Sequence, residues 1–320
     1  MRKMRIAAAA ATLLVFAGSA QAQATQKAIA RLTPSAVIPL GKTADWVEIT
    51  TDAVWVGSTG PNAVHRIDPA TNRVLAAFDL PGEPCAGLAA GFGSVYVPLC
   101  GKPNRLARID VATKTVTLFD TGPLAEEGGI TTSPDRVWLV STSQGTLYRV
   151  DPLNGAIMQI VKVPEGSYNP LYHEGQVWLT RADKAEVTVV DAVTGNVLTT
   201  VRTGPGPRFL TAGAGSVWTL NQGDGTLTRI DALTHGVLGS TALNTPGKGG
   251  DVKFGGGMIW TTMAKTPLSM TDAATGKVRC QWTGPGGDSL GVGHDAIWLT
   301  DYHGGTISRF DLQQVIASCR

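Results

Sequence analysis

The chain is poor in charge. Aspartate, glutamate, lysine and arginine make up 16% of its 320 residues and nearly cancel, leaving a formal net charge of +2. That balance gives no broad basic surface for a polyanion or an anionic membrane, so no nucleic-acid partner is expected. Histidine is scarce, at five, and cysteine scarcer, at four. There is no C-x-x-C, no H-E-x-x-H, no P-loop and no dinucleotide fingerprint. Without C-x-x-C a zinc or redox reading is weak, and no motif points to a metalloprotease or a nucleotide site. No long apolar run follows residue 22, so no membrane span is expected in the mature chain.

The opening residues do hold a pattern. Arg2, Lys3 and Arg5 form a basic start, Ile6–Ala17 a short apolar core, and Ala20-Gln21-Ala22 a small-x-small cleavage site. Residues 1–22 read as a secretory signal peptide, and residues 23–320 as one exported domain, periplasmic or secreted. No lipobox cysteine is present, which suggests a periplasmic protein rather than a lipoprotein. Four cysteines in an exported chain suggest two disulfides.

What the chain has in plenty is a repeat. An aromatic slot is filled by Trp55, Tyr96, Trp138, Trp178, Trp218, Trp260 and Trp298. An acid slot is filled by Asp68, Asp110, Asp151, Asp191, Asp231, Asp272 and Asp311. Steps run from 38 to 42 residues in the first series and from 39 to 42 in the second. Two independent markers keeping one period seven times signal repeat architecture. Each period holds four short runs rich in Val, Ile, Thr and Trp. In the fifth copy they are Phe209–Ala212, Ser216–Leu220, Thr226–Ile230 and Val237–Ala242. Turns bound them, as at Gly213-Ala214-Gly215 and Asp191-Ala192-Val193-Thr194-Gly195. Four strands in about 40 residues is one propeller blade, so the chain is predicted to be an all-β, seven-bladed β-propeller of four-stranded blades.

Closure of the ring follows. The seventh copy supplies three strands, Leu290–Val292, Ala296–Thr300 and Thr306–Phe310, and Ala36–Leu40 is expected to complete its blade as the outer strand. Gln23–Thr33 would be an extended lead-in. Cys85 and Cys100 lie equidistant from the Gly91–Gly93 turn, so they should face each other across the inner strands of blade 2 and form a disulfide. Cys280, on the outer strand of blade 6, and Cys319, in the tail, should form the second. An extended tail from Asp311 reaches up to ~26 Å.

The strings Gly215-Ser216-Val217-Trp218, Gly225-Thr226-Leu227-Thr228-Arg229-Ile230-Asp231 and Gly204-Pro205-Gly206-Pro207 carry a family resemblance, echoed at Val54-Trp55-Val56 and Arg66-Ile67-Asp68-Pro69. They resemble the periplasmic YVTN-type propellers and the virginiamycin B lyase (streptogramin lyase) family. The resemblance spans the mature chain and implies the propeller fold. For activity it implies metal-assisted elimination that opens a cyclic depsipeptide. That chemistry uses a histidine in one blade and an acid-x-histidine pair in the next. Asp301-Tyr302-His303 stands at the pair's position, whereas the preceding blade has Met263-Ala264-Lys265.

In such folds the face carrying the second-to-third and blade-to-blade connections surrounds the channel mouth. Of the five histidines only His303 falls there; His65, His173, His235 and His294 read as strand or back-face turn residues. Register arithmetic sets Asp288 opposite Asp301, with Asp251 next door. Asp288, Asp301 and His303 thus form a candidate catalytic or metal site for a divalent cation such as Mg²⁺ or Ca²⁺. Asp45, Glu127, Tyr168, Arg208, Asp251 and Lys253 are candidate ligand-binding residues, joined around the mouth by Glu48, Asn169 and Arg181. Their mixed sign suits a polar small molecule or peptide, and Arg208 or Lys253 suits a carboxylate. Gly287-Asp288-Ser289-Leu290-Gly291 matches G-x-S-x-G, but Ser289 opens a strand rather than a strand-to-helix elbow. Two readings stay open. One is a monomeric binding or scaffold protein for a small molecule, peptide or protein. The other is a metal-dependent lyase or hydrolase at the same mouth.

Overall fold

The structure is a computed structural model and describes residues 24–141 and 144–319. The expected signal peptide, residues 1–22, lies outside the described residues.

Alternating β-branched and aromatic residues between glycine-rich turns form short strands, and consecutive strands pair as hairpins. Among the described residues this yields seven sheets, one per repeat, in a seven-bladed β-propeller. Blade 5 is the most regular: Pro207–Gly213, Ser216–Asn221, Thr226–Asp231 and Val237–Ala242 pair in order from the channel outward. Blade 7 has three strands from the end of the chain, Leu290–Gly293, Ala296–Asp301 and Thr306–Asp311. Its fourth strand, Ala36–Pro39, comes from the beginning and runs antiparallel to the third. The ring is sewn shut from both ends, as the sequence predicts.

The repeated aromatics are the mortar between blades. Trp55, Tyr96, Trp138, Trp178, Trp218, Trp260 and Trp298 are all 0% exposed. Each buries enough apolar surface to dominate its local packing. Four carry an arginine from the facing strand over the ring: Arg66 on Trp55, Arg149 on Trp138, Arg229 on Trp218 and Arg309 on Trp298, at 5.1–5.8 Å from the centroid. Inner strands approach closely enough to require glycine. A Cβ on Gly213 would lie 2.2 Å from the Phe254 ring of the next blade.

The repeated aspartate builds the third-to-fourth strand turn. Asp272 shows the pattern: its Oδ1 accepts from the amides of Ala274 and Thr275 and from the Thr275 hydroxyl, at 3.1, 2.8 and 2.9 Å. The last of the series, Asp311, uses the same chemistry to cap a helix, accepting from the Gln314 amide at 2.8 Å.

Three expectations about the ends and the cysteines need correction. The lead-in is not merely extended. Thr25–Ala28 adds a fifth strand to blade 6, parallel to Val278–Thr283, and Ile29–Arg31 follows as a 3-10 turn. It satisfies an edge that would otherwise expose unpaired backbone groups. The tail is not extended either. Leu312–Ser318 is a helix whose Leu312 and Val315 are buried against blades 6 and 7. It still brings Cys319 to Cys280, with Cα atoms 5.8 Å apart, and the predicted disulfide forms. Cys85–Cys100 also forms, at 5.6 Å between Cα atoms, but diagonally. Glu83, not Cys85, stands opposite Cys100, and the Cys85 amide bonds the Pro98 carbonyl. The inner strand of blade 2 breaks between Glu83–Pro84 and Ala89–Gly91, which shifts the register by two residues.

Candidate functional site at the channel mouth

The blade-to-blade and second-to-third connections surround a basin of about 1180 Å³. Beneath it, the inner strands enclose a narrower cavity of about 100 Å³ in the channel. Trp46 and Phe209 line both and so mark the throat between them.

Asp45, Glu127, Arg208, Asp288, Asp301 and His303 line the basin, as the sequence predicts. Asp251 and Lys253 lie deeper, on the inner cavity, together with Glu48 and Asn169. Tyr168 lines neither. Its ring lies under the Arg208 guanidinium, 4.3 Å from the centroid. Arg181 is engaged with Glu186 and the Glu165 carbonyl. His173 and His294 sit at back-face hairpin turns, and His65 is buried beside Ser58 at 2.9 Å.

The inner-strand ends stitch neighbouring blades together. The paired register of blade 7 ends at Leu290 and Leu299. At the mouth the Asp288 amide and the Ser289 carbonyl both bond the Thr300 backbone, so two residues face one and Asp288 is offset from the expected position opposite Asp301. The side chains then diverge. Asp288 Oδ1 accepts from the Gly250 amide of blade 6 at 3.1 Å, whereas Asp301 Oδ1 accepts from Gly304 in its own loop at 3.0 Å. His303 packs edge-on against Tyr302. Asp251 accepts from Lys253 Nζ at 2.9 Å and from the Leu290 amide of blade 7 at 3.3 Å. Arg208 reaches over blade 4 to pair with Glu127. Asp288, Asp301 and His303 therefore share a basin wall while their side chains engage separate partners. Among the described residues no group of three or more His, Cys, Asp or Glu is arranged to hold a metal ion.

The polar centre of the mouth is one that sequence reasoning missed. Ser289 Oγ donates to Asp45 Oδ1 at 2.5 Å across the blade 7–blade 1 seam. The serine of the G-D-S-L string is thus the hydrogen-bond partner of a carboxyl group from the neighbouring blade. Burial, then the nearby Asp288 charge, pushes Asp45 up to about 7. Burial likewise pushes Glu48 up to about 7, against the Ala90 amide that bonds its carboxylate at 3.2 Å. Asp288 is raised by burial, then by Asp251 and Glu127, with the Gly250 amide opposing. Perturbed carboxyl groups converging on a cavity are a hallmark of functional sites.

Trp46 was also missed, though a signal existed. Of eight tryptophans, six keep the repeat period and two, Trp46 and Trp282, do not. Trp282 fills the blade 6 core. Trp46 sits in a bulge between Asp45 and Val47 with φ at 57°, a strained conformation for an aromatic residue. The bulge turns it into the throat.

Comparison with known proteins supports the architecture alone. The crystal structure of BamB from Moraxella catarrhalis superposes with a TM-score of 0.61 over 88% of this chain and 99% of that one, at 12% identity. The chain is similar to BamB in fold. At that identity the likeness to BamB says nothing of activity, because one scaffold hosts many functions. No family model and no curated protein matches the chain, so the lyase-family resemblance rests on the repeat strings.

Proposed function

We propose that the protein is an exported binding protein that takes a polar small molecule or a peptide segment into the channel mouth. The observation that carries this reading is the basin itself: a concave space of about 1180 Å³ with an aromatic throat, opening onto carboxyl groups pushed out of their ordinary range. Two disulfides suit an oxidising compartment, and among the described residues no helix is long and apolar enough to cross a membrane. The signal-peptide pattern supports the periplasm or the medium.

The test is a thermal-shift panel of amines, carboxylates, sugars, short peptides and divalent metals. Glu126→Trp with Lys248→Trp crowds the basin from two exposed lining positions, and Leu233→Glu alters the opposite face. A ligand-induced rise in Tm should vanish in the crowded variant and persist in Leu233→Glu. A rise that survives crowding would sink the mouth reading.

A second reading, metal-assisted lyase or hydrolase chemistry, draws on the shared wall of Asp288, Asp301 and His303. It requires a shift with Mg²⁺, Mn²⁺ or Ca²⁺ that Asp301→Ala and His303→Ala abolish. No shift with any divalent metal removes it.

A further inference from the structure

The two cavities differ in what their walls leave unsatisfied. The inner one has a volume of about 100 Å³, roughly three waters' worth of liquid, which is the size of a short alkylammonium. Its throat is aromatic, with Trp46 on one side and Phe209 on the other, and ring faces attract cations. Together the cavity walls carry eight acidic side chains against four arginines and lysines. Two of those four are already committed, Arg208 to Glu127 and Lys253 to Asp251. The other two, Lys248 and Lys265, are exposed at the rim. Among the described residues no cationic nitrogen comes within 4.0 Å of Asp45, Glu48 or Asp288. Each of the three is hydrogen-bonded by backbone amides or a hydroxyl, with Lys253 acting on Glu48 and His303 on Asp288 from beyond ion-pair distance.

We propose that the throat and inner cavity receive a primary ammonium group on a short alkyl stem, which enters between Trp46 and Phe209 and is held by Glu48, Asp45 and Asp288. The ligand class is a lysine side chain of a peptide or a free alkylamine. The stem lies against the aromatic walls, and the ammonium adds positive charge to a set of carboxyl groups whose one cationic neighbour on the inner cavity, Lys253, is already bonded to Asp251. This inference rests on the mouth being the binding site and adds what the ligand must carry.

Calorimetric titration at pH 8 tests it with four probes: Gly-Lys-Gly amide blocked at its N-terminus, its Nε-acetylated counterpart, the matching Glu peptide, and 1,5-diaminopentane. The lysine peptide should bind at least tenfold tighter than the acetylated and Glu peptides. Glu48→Gln with Asp288→Asn, shown folded by its melting curve, should weaken it at least tenfold. Acetylation leaves the protein untouched, so the result stands even if that variant misfolds. Tighter binding of the diamine than of the peptide assigns a free amine as the source, and the reverse assigns a peptide. Equal binding of the acetylated or Glu peptide overturns the cation requirement and leaves the mouth reading intact. Absence of binding by every probe also overturns it, and the crowding panel then judges the mouth separately.

Discussion

Asp272 and Asp45 carry the same carboxyl group at opposite faces of one ring. Asp272 sits at a back-face turn, and the Thr275 amide and its neighbours hold it below the usual carboxylate range. Asp68, Asp110, Asp191 and Asp231 are lowered in the same way. Asp45 sits at the mouth, meets one amide and one hydroxyl, and is pushed up to about 7 by burial. The turn aspartates are complete within the fold. Asp45, Glu48 and Asp288 are buried with one or two donors each, which favours their protonated forms. The contrast separates carboxyl groups satisfied within one turn from carboxyl groups that bridge neighbouring blades at the mouth.

Four substitutions test that contrast, from the largest expected effect to the smallest. Lys253→Met strips the partner from Asp251, which is only 6% exposed. The loss in a urea titration should be about 2–3 kcal/mol, below the fully buried case because Lys253 is about a third exposed. Next, Asp45→Asn should stabilise, and only at high pH. The folded-state value of Asp45 is raised, so its stabilising contribution is complete below about 4 and lost as pH rises through about 7. The variant should therefore gain about 1–2 kcal/mol at pH 8, a rise of a few degrees in Tm, and nothing at pH 4. An equal gain at both pH values would contradict the assigned burial.

Asp272→Ala should cost about 1 kcal/mol at pH 7 through its turn bonds. Because Asp272 is lowered, its contribution is present above the ordinary carboxylate value and fades as pH falls through the folded-state value. The penalty measured by thermal melting should shrink toward pH 2, the opposite trend to Asp45→Asn. Last, Arg66→Met removes a back-face pair whose Asp52 side chain is 55% exposed, and should cost under about 1 kcal/mol. If it matches Lys253→Met, the two faces do not differ as argued.

The sequence made the frame legible because two markers shared one period, and an unbroken hairpin turns spacing into geometry. Leu290 and Leu299 stand opposite for that reason, one step below the mouth, and the register shifts at Asp288. The arithmetic failed where strands break or bulge. The break in blade 2 moved Cys85 off its expected partner position, and the bulge between Tyr168 and Leu171 left Tyr168 outside the basin. The Ser289–Asp45 bond joins residues 244 apart and has no local signal; only ring closure brings blade 7 against blade 1. Likewise, neighbours on one wall could be named from spacing, but the divergence of Asp288 and Asp301 toward separate amides depends on loop conformation.

The fifth strand of blade 6 also determines how the molecule bears load. Thr25 stands opposite Cys280, and Cys280 is bonded to Cys319. Tension applied between residues 24 and 319 therefore loads a short parallel ladder at its Thr25–Cys280 end, so the ladder peels from that end while the covalent link holds the tail. The force runs through one corner of the ring and bypasses blades 1 to 5 until that ladder opens. A tethered or stretched copy should yield first by releasing Thr25–Ala28 with the mouth intact, and reduction of Cys280–Cys319 should open a softer path that begins with the terminal helix.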